Sequence, residues 1–366
     1  MHPFLRAVKT TALVLLSIFV ALLFFVVLDV AYTLATGQDQ KALPYDRQAG
    51  GWYQLRPEFS GHDQFGGAQY TVFTDADGYR AGPPATRNSG PATTLFLGDS
   101  FTYGVNGPWD EIFVGMYAQA VPEPVINAGV SSYSPTAYLH VYRKALQQGR
   151  LAPQHRVVIG LDISDVQDEA AIWTDGPETP VRYSHLEKSA LDLWFDRTFP
   201  HGLTLWGMVE KGLKTLKRPE GGAGADTVAG AMAALDRSAF TFRDWDKLDA
   251  RSYAPLGVAG GLARIEAKLT TLSELARQNG GEVWLLVYPW PAQLVHDSTQ
   301  LHWPDHVRTL CARIACAGVV DAFPAFEAAR AAGPDWYETL FLQGDVHYSK
   351  AGNALILEAL QETLDR

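Results

Sequence analysis

Thr93-Thr94-Leu95-Phe96-Leu97-Gly98-Asp99-Ser100-Phe101-Thr102-Tyr103-Gly104 is a short apolar run that stops at a glycine and at once turns polar. Such a run reads as a strand buried on both faces. An α/β sheet carries its chemistry just beyond the carboxyl ends of parallel strands, which makes Ser100 a candidate nucleophile. A Gly-Asp-Ser sequence is also a common plain turn. The catalytic reading therefore needs a base, an orienting acid and oxyanion donors elsewhere in the chain.

Downstream, strand and helix alternate. A helix is predicted around Trp109–Ala120 and a strand at Val125–Asn127. Ser134-Pro135 opens a helix with apolar residues at helical spacing, Tyr138, Val141, Tyr142, Ala145 and Leu146. Strands follow at Arg156–Leu161, Glu282–Val287 and Val319–Ala322, with helices at Arg264–Gln278, Pro304–Ala315 and from the cap Ser349 to Leu364. This order predicts a doubly wound three-layer α/β/α domain. The alternation breaks at about 168–262, a stretch holding Trp173, Trp194, Phe195, Trp206, Trp245 and the small-residue run Gly221–Ala225, the latter read as a mobile loop. It reads as a lid-like insertion or as a surface excursion with a minor core of its own.

Upstream, residues 36–91 are rich in turns and short strands, packed on the main sheet or forming its edge. Before them Thr11–Leu28 is apolar apart from Thr11 and Ser17, and Arg6 and Lys9 precede it. That is a signal anchor over residues 1–35 with its N-terminus inside, the rival being a cleaved signal peptide. Asp29 is placed at the outer edge, within reach of water. Either way the remaining chain lies outside the cytoplasm, in the periplasm or beyond the cell.

Among 366 residues, 40 acidic and 30 basic side chains give a formal charge of −10, and no basic stripe is present to meet nucleic acid. Cys311 and Cys316 are too far apart for a CxxC motif. They read as buried thiols, or as a local disulfide if the domain is exported. His302 and His306 stand four apart with Asp305 between, but Pro304 disrupts the helix a metal pair would need, and no metal or cofactor is assigned. Tyr288-Pro289-Trp290-Pro291 reads as a sugar or acyl platform, or equally as core packing.

His347 stands out among ten histidines. In Gly344-Asp345-Val346-His347 it lies two residues from Asp345, and extended residues two apart share a side, so Asp345 can fix the imidazole. Oxyanion donors are sought in the Ser100 amide, in the amide of Gly129 in Asn127-Ala128-Gly129, and in a side chain of Leu161-Asp162-Ile163-Ser164-Asp165.

Gly98-Asp99-Ser100-Phe101-Thr102-Tyr103-Gly104 resembles the first block of the SGNH (GDSL-type) hydrolases. Asn127-Ala128-Gly129 is similar to their glycine block and Gly344–His347 to their final Asp/His block. The resemblance covers residues 92–366 and implies a mostly parallel, flavodoxin-like sheet. It implies Ser100 as nucleophile, His347 as base and Asp345 as orienter, with Ser100, Gly129 and Ser164 at the oxyanion hole and Asp99, Asn127 and Asp165 in support. Ser164-Asp165 departs from the family's Asn-Asp, and the Asp-to-His gap of two resembles the polysaccharide O-acetylating branch. The function implied is ester hydrolysis through an acyl-enzyme, on acyl esters of envelope glycans or on small esters. The alternative is O-acetyl transfer onto a polysaccharide, with a membrane acyl-donor protein as partner. A non-catalytic, membrane-tethered glycan-binding or assembly protein is a second alternative.

Overall fold

The computed structural model describes residues 3–36, 44–65, 68–87, 89–105, 107–186, 188–189, 191–194, 253–295, 302–342 and 344–364. The chain divides into two compact units, Met1–Leu43 with Ser189–Gly221, and Pro44–Lys188 with Gly222–Arg366.

Among its described residues the first unit has one long helix, Pro3–Thr36. Its segment Thr10–Thr33 has a mean hydropathy of 3.0 and is long and apolar enough to cross a membrane. Twenty-four residues at helical rise span about 36 Å, against a hydrocarbon core of roughly 30 Å. Leu13 to Leu28 present their large side chains outward. Asp29 does not reach water as the sequence suggested: it is fully buried, and the Thr33 hydroxyl donates to its carboxylate at 3.3 Å.

The second unit holds twelve strands among the described residues. β1 (Tyr45–Arg47) and β2 (Tyr53–Leu55) form a separate antiparallel pair. β3 (Ser60–Phe65), β4 (Ala68–Thr74), β5 (Arg80–Ala81), β6 (Ala92–Leu97), β7 (Val125–Asn127), β8 (Leu151–Gly160), β11 (Gly281–Val287) and β12 (Gly318–Asp321) make one sheet in the order β12-β11-β8-β6-β7-β5-β4-β3. β9 (Trp173–Thr174) and β10 (Val181–Arg182) pair apart from it.

From β7 to β12 every pairing is parallel. Beyond β7 the sheet turns antiparallel, and β5, β4 and β3 extend that edge. The parallel half has the order 2-1-3-4-5 of a flavodoxin-like sheet, which reverses direction between β6 and β8 and opens a crevice at their carboxyl ends. Leu95, Phe96, Leu97, Val157, Val158, Ile159, Leu285, Leu286 and Val287 have no exposure, as strands covered on both faces require.

Right-handed crossovers put successive helices on opposite faces where the winding reverses. Phe113–Ala120 packs with the last helix, Lys350–Leu364, on one side. Gly257–Gln278 packs with Pro135–Gln147 and Trp303–Ile314 on the other. Ser349 caps the last helix as predicted, accepting from the amides of Ala351 and Gly352 at 3.1 and 3.3 Å.

Ser134 holds the N-cap position with Pro135 first in the helix, as expected, but its side chain makes no capping hydrogen bond. Its hydroxyl donates instead to Glu169 at 2.7 Å, and Glu169 takes over the first turn, accepting from the Thr136 amide at 2.5 Å and the Thr136 hydroxyl at 2.8 Å. Arg264 closes the network at 3.0 Å from Glu169, which is fully buried. Burial raises this carboxyl above its ordinary value, while its four partners pull it back toward ionisation. Cys311 and Cys316 form a disulfide across the end of their helix, with Cα atoms 5.0 Å apart and Ala315 in the left-handed region between them.

Of the insertion at 168–262, Phe195, Trp206, Trp245 and Gly221–Ala225 lie outside the described residues. Trp173, inside them, is a core residue. Its ring meets those of Trp52, Tyr53 and Tyr133 at 5.6–5.9 Å, and its indole donates to the Ser132 carbonyl at 2.6 Å.

Candidate active site

β6 ends at Leu97, and the backbone then turns through Gly98 and Asp99 into a one-turn helix, Ser100–Tyr103, closed by Gly104 in the left-handed region. Asp99 caps this helix by accepting from the Phe101 amide at 3.0 Å. Thr102 fills space that glycines leave open at the ends of three neighbouring strands. A Cβ on Gly98 would lie 2.6 Å from the Thr102 Cβ, one on Gly129 2.8 Å from the same atom, and one on Gly160 2.6 Å from the Thr102 hydroxyl.

Far along the chain, the segment before the last helix brings His347 to this turn. Its Nε2 lies 2.8 Å from Ser100 Oγ, and its Nδ1 lies 2.5 Å from Asp345 Oδ1. The same Asp345 oxygen accepts from the His347 amide at 3.0 Å, so the two-residue spacing closes on itself as an Asx-type turn. Tyr337 holds the segment from behind: its hydroxyl accepts from the Asp345 amide at 3.1 Å and lies 3.0 Å from the Asp345 carbonyl. Leu342 donates to the His347 carbonyl at 2.9 Å. The Phe101 ring lies 4.5 Å from the imidazole, tilted by 32°.

Burial opposes the charge on Asp345, but the hydrogen bond and charge of His347 outweigh it and hold the carboxyl below its ordinary value. Asp345 is thus set up as an anion beside the imidazole, the state that favours the Nδ1–H tautomer. Ser100 Oγ also lies 3.3 Å from Asp99, a longer contact than the one to His347.

Two of the three expected oxyanion donors are committed elsewhere. The Gly129 amide donates to Asn127 Oδ1 at 2.9 Å, and Gly129 serves close packing against the backbone of Thr102 and Tyr103. Ser164 donates its hydroxyl to Asp162 Oδ1 at 2.6 Å and its amide to the same atom at 2.8 Å. The Ser100 amide stays at the first turn of its helix, where amides have no intrahelical acceptor, and it faces the Asp99 carboxyl. Asn127 is fully buried, and its Nδ2 donates to the Thr102 carbonyl at 2.8 Å, tying the β7 turn to the nucleophile helix.

Asp162 is a residue that sequence reasoning passed over for Ser164. It is the first polar residue after the apolar end of β8, the same signal that marks Asp99 after β6. Trp290 donates to its Oδ2 at 2.8 Å, which makes Tyr288–Pro291 a packing element rather than an open platform: Tyr288 has no exposure and Trp290 has 6%. Asp99, Asp162, Asp165 and Asp168 are all buried. Burial raises every one of these carboxyls, and the charge of its neighbours adds to the rise in Asp99, Asp165 and Asp168. Asp165 accepts from the Tyr138 hydroxyl and from the Asp162 amide, each at 2.9 Å. His302 pairs with Asp305 at 2.9 Å and His306 stacks on Trp303, and the described residues hold no cluster of metal-ligating side chains.

No protein-family model and no curated protein matches this chain. Among solved structures it is similar to a member of the lipolytic protein G-D-S-L family from Veillonella parvula, with a TM-score of 0.41 and 12% identity over 75% of this chain and 98% of that one. It is similar to TesA, with a TM-score of 0.38 and 13% identity over 74% and 97%. A catalytic mutant of Axe2, an acetylxylan esterase from Geobacillus stearothermophilus, gives 0.36 and 14% over 75% and 95%. Likenesses this distant carry no argument about chemistry, and the functional reading rests on the side chains themselves.

Proposed function

We propose that this chain is a serine ester hydrolase working through an acyl-enzyme, with Ser100 as nucleophile, His347 as general base and Asp345 as its orienter. One observation carries the reading: the unbroken relay from Ser100 Oγ through both imidazole nitrogens to Asp345, at 2.8 and 2.5 Å. Asp345 accepts from Nδ1–H, which leaves Nε2 as the acceptor facing the hydroxyl. On attack at an ester carbonyl the Ser100 proton passes to Nε2, and the Ser100 amide donates to the oxyanion. His347 then returns the proton to the leaving alcohol. In the second half-reaction it takes one from water, which attacks the acyl carbon, and gives it to Ser100 Oγ as the bond to that carbon breaks and the acid leaves.

The substrate class we propose is an acyl ester, acetyl foremost, on an envelope or exported glycan. The apolar helix Thr10–Thr33 supports an envelope setting, as the anchor of an exported enzyme. The resemblance of the Ser100, Asn127–Gly129 and Asp345–His347 blocks to SGNH hydrolases supports ester chemistry.

The test is p-nitrophenyl acetate turnover by the full-length chain in detergent, beside Ser100→Ala and His347→Ala. Acetylated sugar oligomers follow as substrates and free oligomers as acceptors. Turnover abolished by both substitutions, with acetate released from the sugar, supports the reading. Turnover surviving in Ser100→Ala refutes it. Acetyl appearing on free oligomers in place of acetate moves the reading to transfer.

A further inference from the structure

We propose that Arg80, on the antiparallel edge of the sheet, is a positioning residue for the nucleophile. This rests on the hydrolase reading of Ser100.

The helix that carries Ser100 is a single turn, so the carbonyls at its end find no partners within it. Two side chains supply them. Asn127 Nδ2 donates to the Thr102 carbonyl at 2.8 Å. Arg80 Nη1 donates to the carbonyls of Tyr103 and Gly104, the latter at 2.6 Å, and Nη2 donates to Gly107 at 2.5 Å. Arg80 and Asn127 are also the one residue pair through which β5 joins β7. Directly opposed residues of an antiparallel pair share a face, so this single pairing delivers both side chains to the same turn.

The residues that Arg80 holds are those that hold Ser100. Tyr103 donates its amide to the Asp99 carbonyl at 2.8 Å, and Gly104 donates to the Ser100 carbonyl at 2.9 Å. Each of these peptides therefore has its amide on the nucleophile's own backbone and its carbonyl on the guanidinium. The guanidinium is fixed in turn. It lies 4.5 Å from the Tyr103 ring centre and 5.5 Å from that of Tyr70, and both phenols donate to Asp63, at 2.9 and 3.0 Å. Only 2% of Arg80 is exposed. A rigid fork with donors on both arms suits several carbonyls at once, which a lysine ammonium does not match. Its charge also sits where the carbonyl end of a helix favours a cation.

The experiment uses full-length wild type, Arg80→Met, Arg80→Lys and Ser100→Ala in detergent micelles. It follows the rate and the final stoichiometry of labelling by a fluorophosphonate, p-nitrophenyl acetate kinetics and thermal unfolding. We expect Arg80→Met to label to the wild-type end point about 10- to 100-fold more slowly, the loss that about 1 Å of misplacement brings. kcat should fall with KM unchanged, and Arg80→Lys should lie between. Wild-type rates in a folded Arg80→Met overturn the inference. So does a loss seen only in the end point, which reports unfolded protein rather than a displaced serine. Should Arg80→Met fail to fold, Arg80→Lys is judged by the same criteria. A wild type that does not label removes the hydrolase reading and the inference with it. Labelling lost in Ser100→Ala keeps the reading whichever way Arg80 falls.

Discussion

Replacing Asp165 by Asn should make the protein less sensitive to rising pH. Asp165 is 1% exposed, and its carboxyl is raised well above the ordinary value by burial, then by the charges of Asp162 and Asp99. Above about pH 4 the unfolded chain has lost this proton while the native site keeps it. The native state then binds more protons than the unfolded one, so stability falls as pH rises, until the native carboxyl itself ionises. The slope for one proton is about 1.4 kcal/mol per pH unit. Asn does not titrate, and it fits the same partners. Its Oδ1 can accept from the Asp162 amide. Its Nδ2 can donate to Tyr138, whose own proton is then free for the Tyr133 carbonyl 3.1 Å away. While the native carboxyl keeps its proton, the variant should therefore gain on wild type as pH rises, by up to about 1.4 kcal/mol per pH unit. Each kcal/mol gained raises the Tm difference by roughly 2–4 °C. Thermal unfolding at pH 5, 6, 7 and 8 in one detergent measures it. Comparing the two proteins cancels the contributions of His140, His155 and His306, which burial pushes down, and that of Asp345, which is depressed and loses stabilising effect only as pH falls. A difference that stays flat with pH, or shrinks as pH rises, refutes the reasoning.

His347→Ala should lower kcat by about 10²- to 10⁴-fold. Asp345→Asn should cost on the order of 10²–10⁴ by leaving the imidazole in the wrong tautomer, with KM little changed in steady-state assays. Gly129→Ala would push a Cβ to 2.7 Å from the Thr102 carbonyl carbon and should cost about 1–3 kcal/mol of stability, with slower fluorophosphonate labelling. Glu169→Ala takes the buried acceptor from the Ser134 and Thr136 hydroxyls and the Thr136 amide, while Arg264 keeps Asp175, Tyr183 and Thr174, and should cost about 1–3 kcal/mol in denaturant unfolding. Glu169→Gln, which keeps an acceptor but loses the charge, should cost less, and equal losses in the two would show that the neutral acceptor contributes nothing and the charge carries the effect.

The parallel half of the sheet was legible because its signals are local. Runs such as Leu95–Leu97 and Leu285–Val287 are continuous and apolar, and the stripe from Tyr138 to Leu146 repeats at helical period. The spacing of two between Asp345 and His347 pointed to their contact, although the structure makes it in an Asx-type turn and not along an extended segment. What the sequence hid depends on register and on side chains meeting across the fold. Nothing near Gly129 shows that Asn127 will take its amide, and nothing near Ser164 favours Asp162 over open solvent. Glu169 replaces Ser134 at a helix cap from 35 residues away. Arg80 reads as an ordinary charged residue at a strand edge until β5 is laid on β7.

Thr102 has a consequence for how this sequence can change over time. Its side chain occupies the room left by Gly98 and much of that left by Gly160, whereas a methyl group at position 129 meets the backbone of Thr102 and Tyr103 whatever side chain residue 102 carries. The order of substitutions then matters. A lineage that first shrinks residue 102 to glycine opens position 98 to alanine and eases position 160, whereas one that starts at either of those glycines meets a clash beside the nucleophile. Positions 98, 102 and 160 should drift as a linked set among descendants of this chain, with residue 102 moving first, while Gly129 stays fixed by backbone.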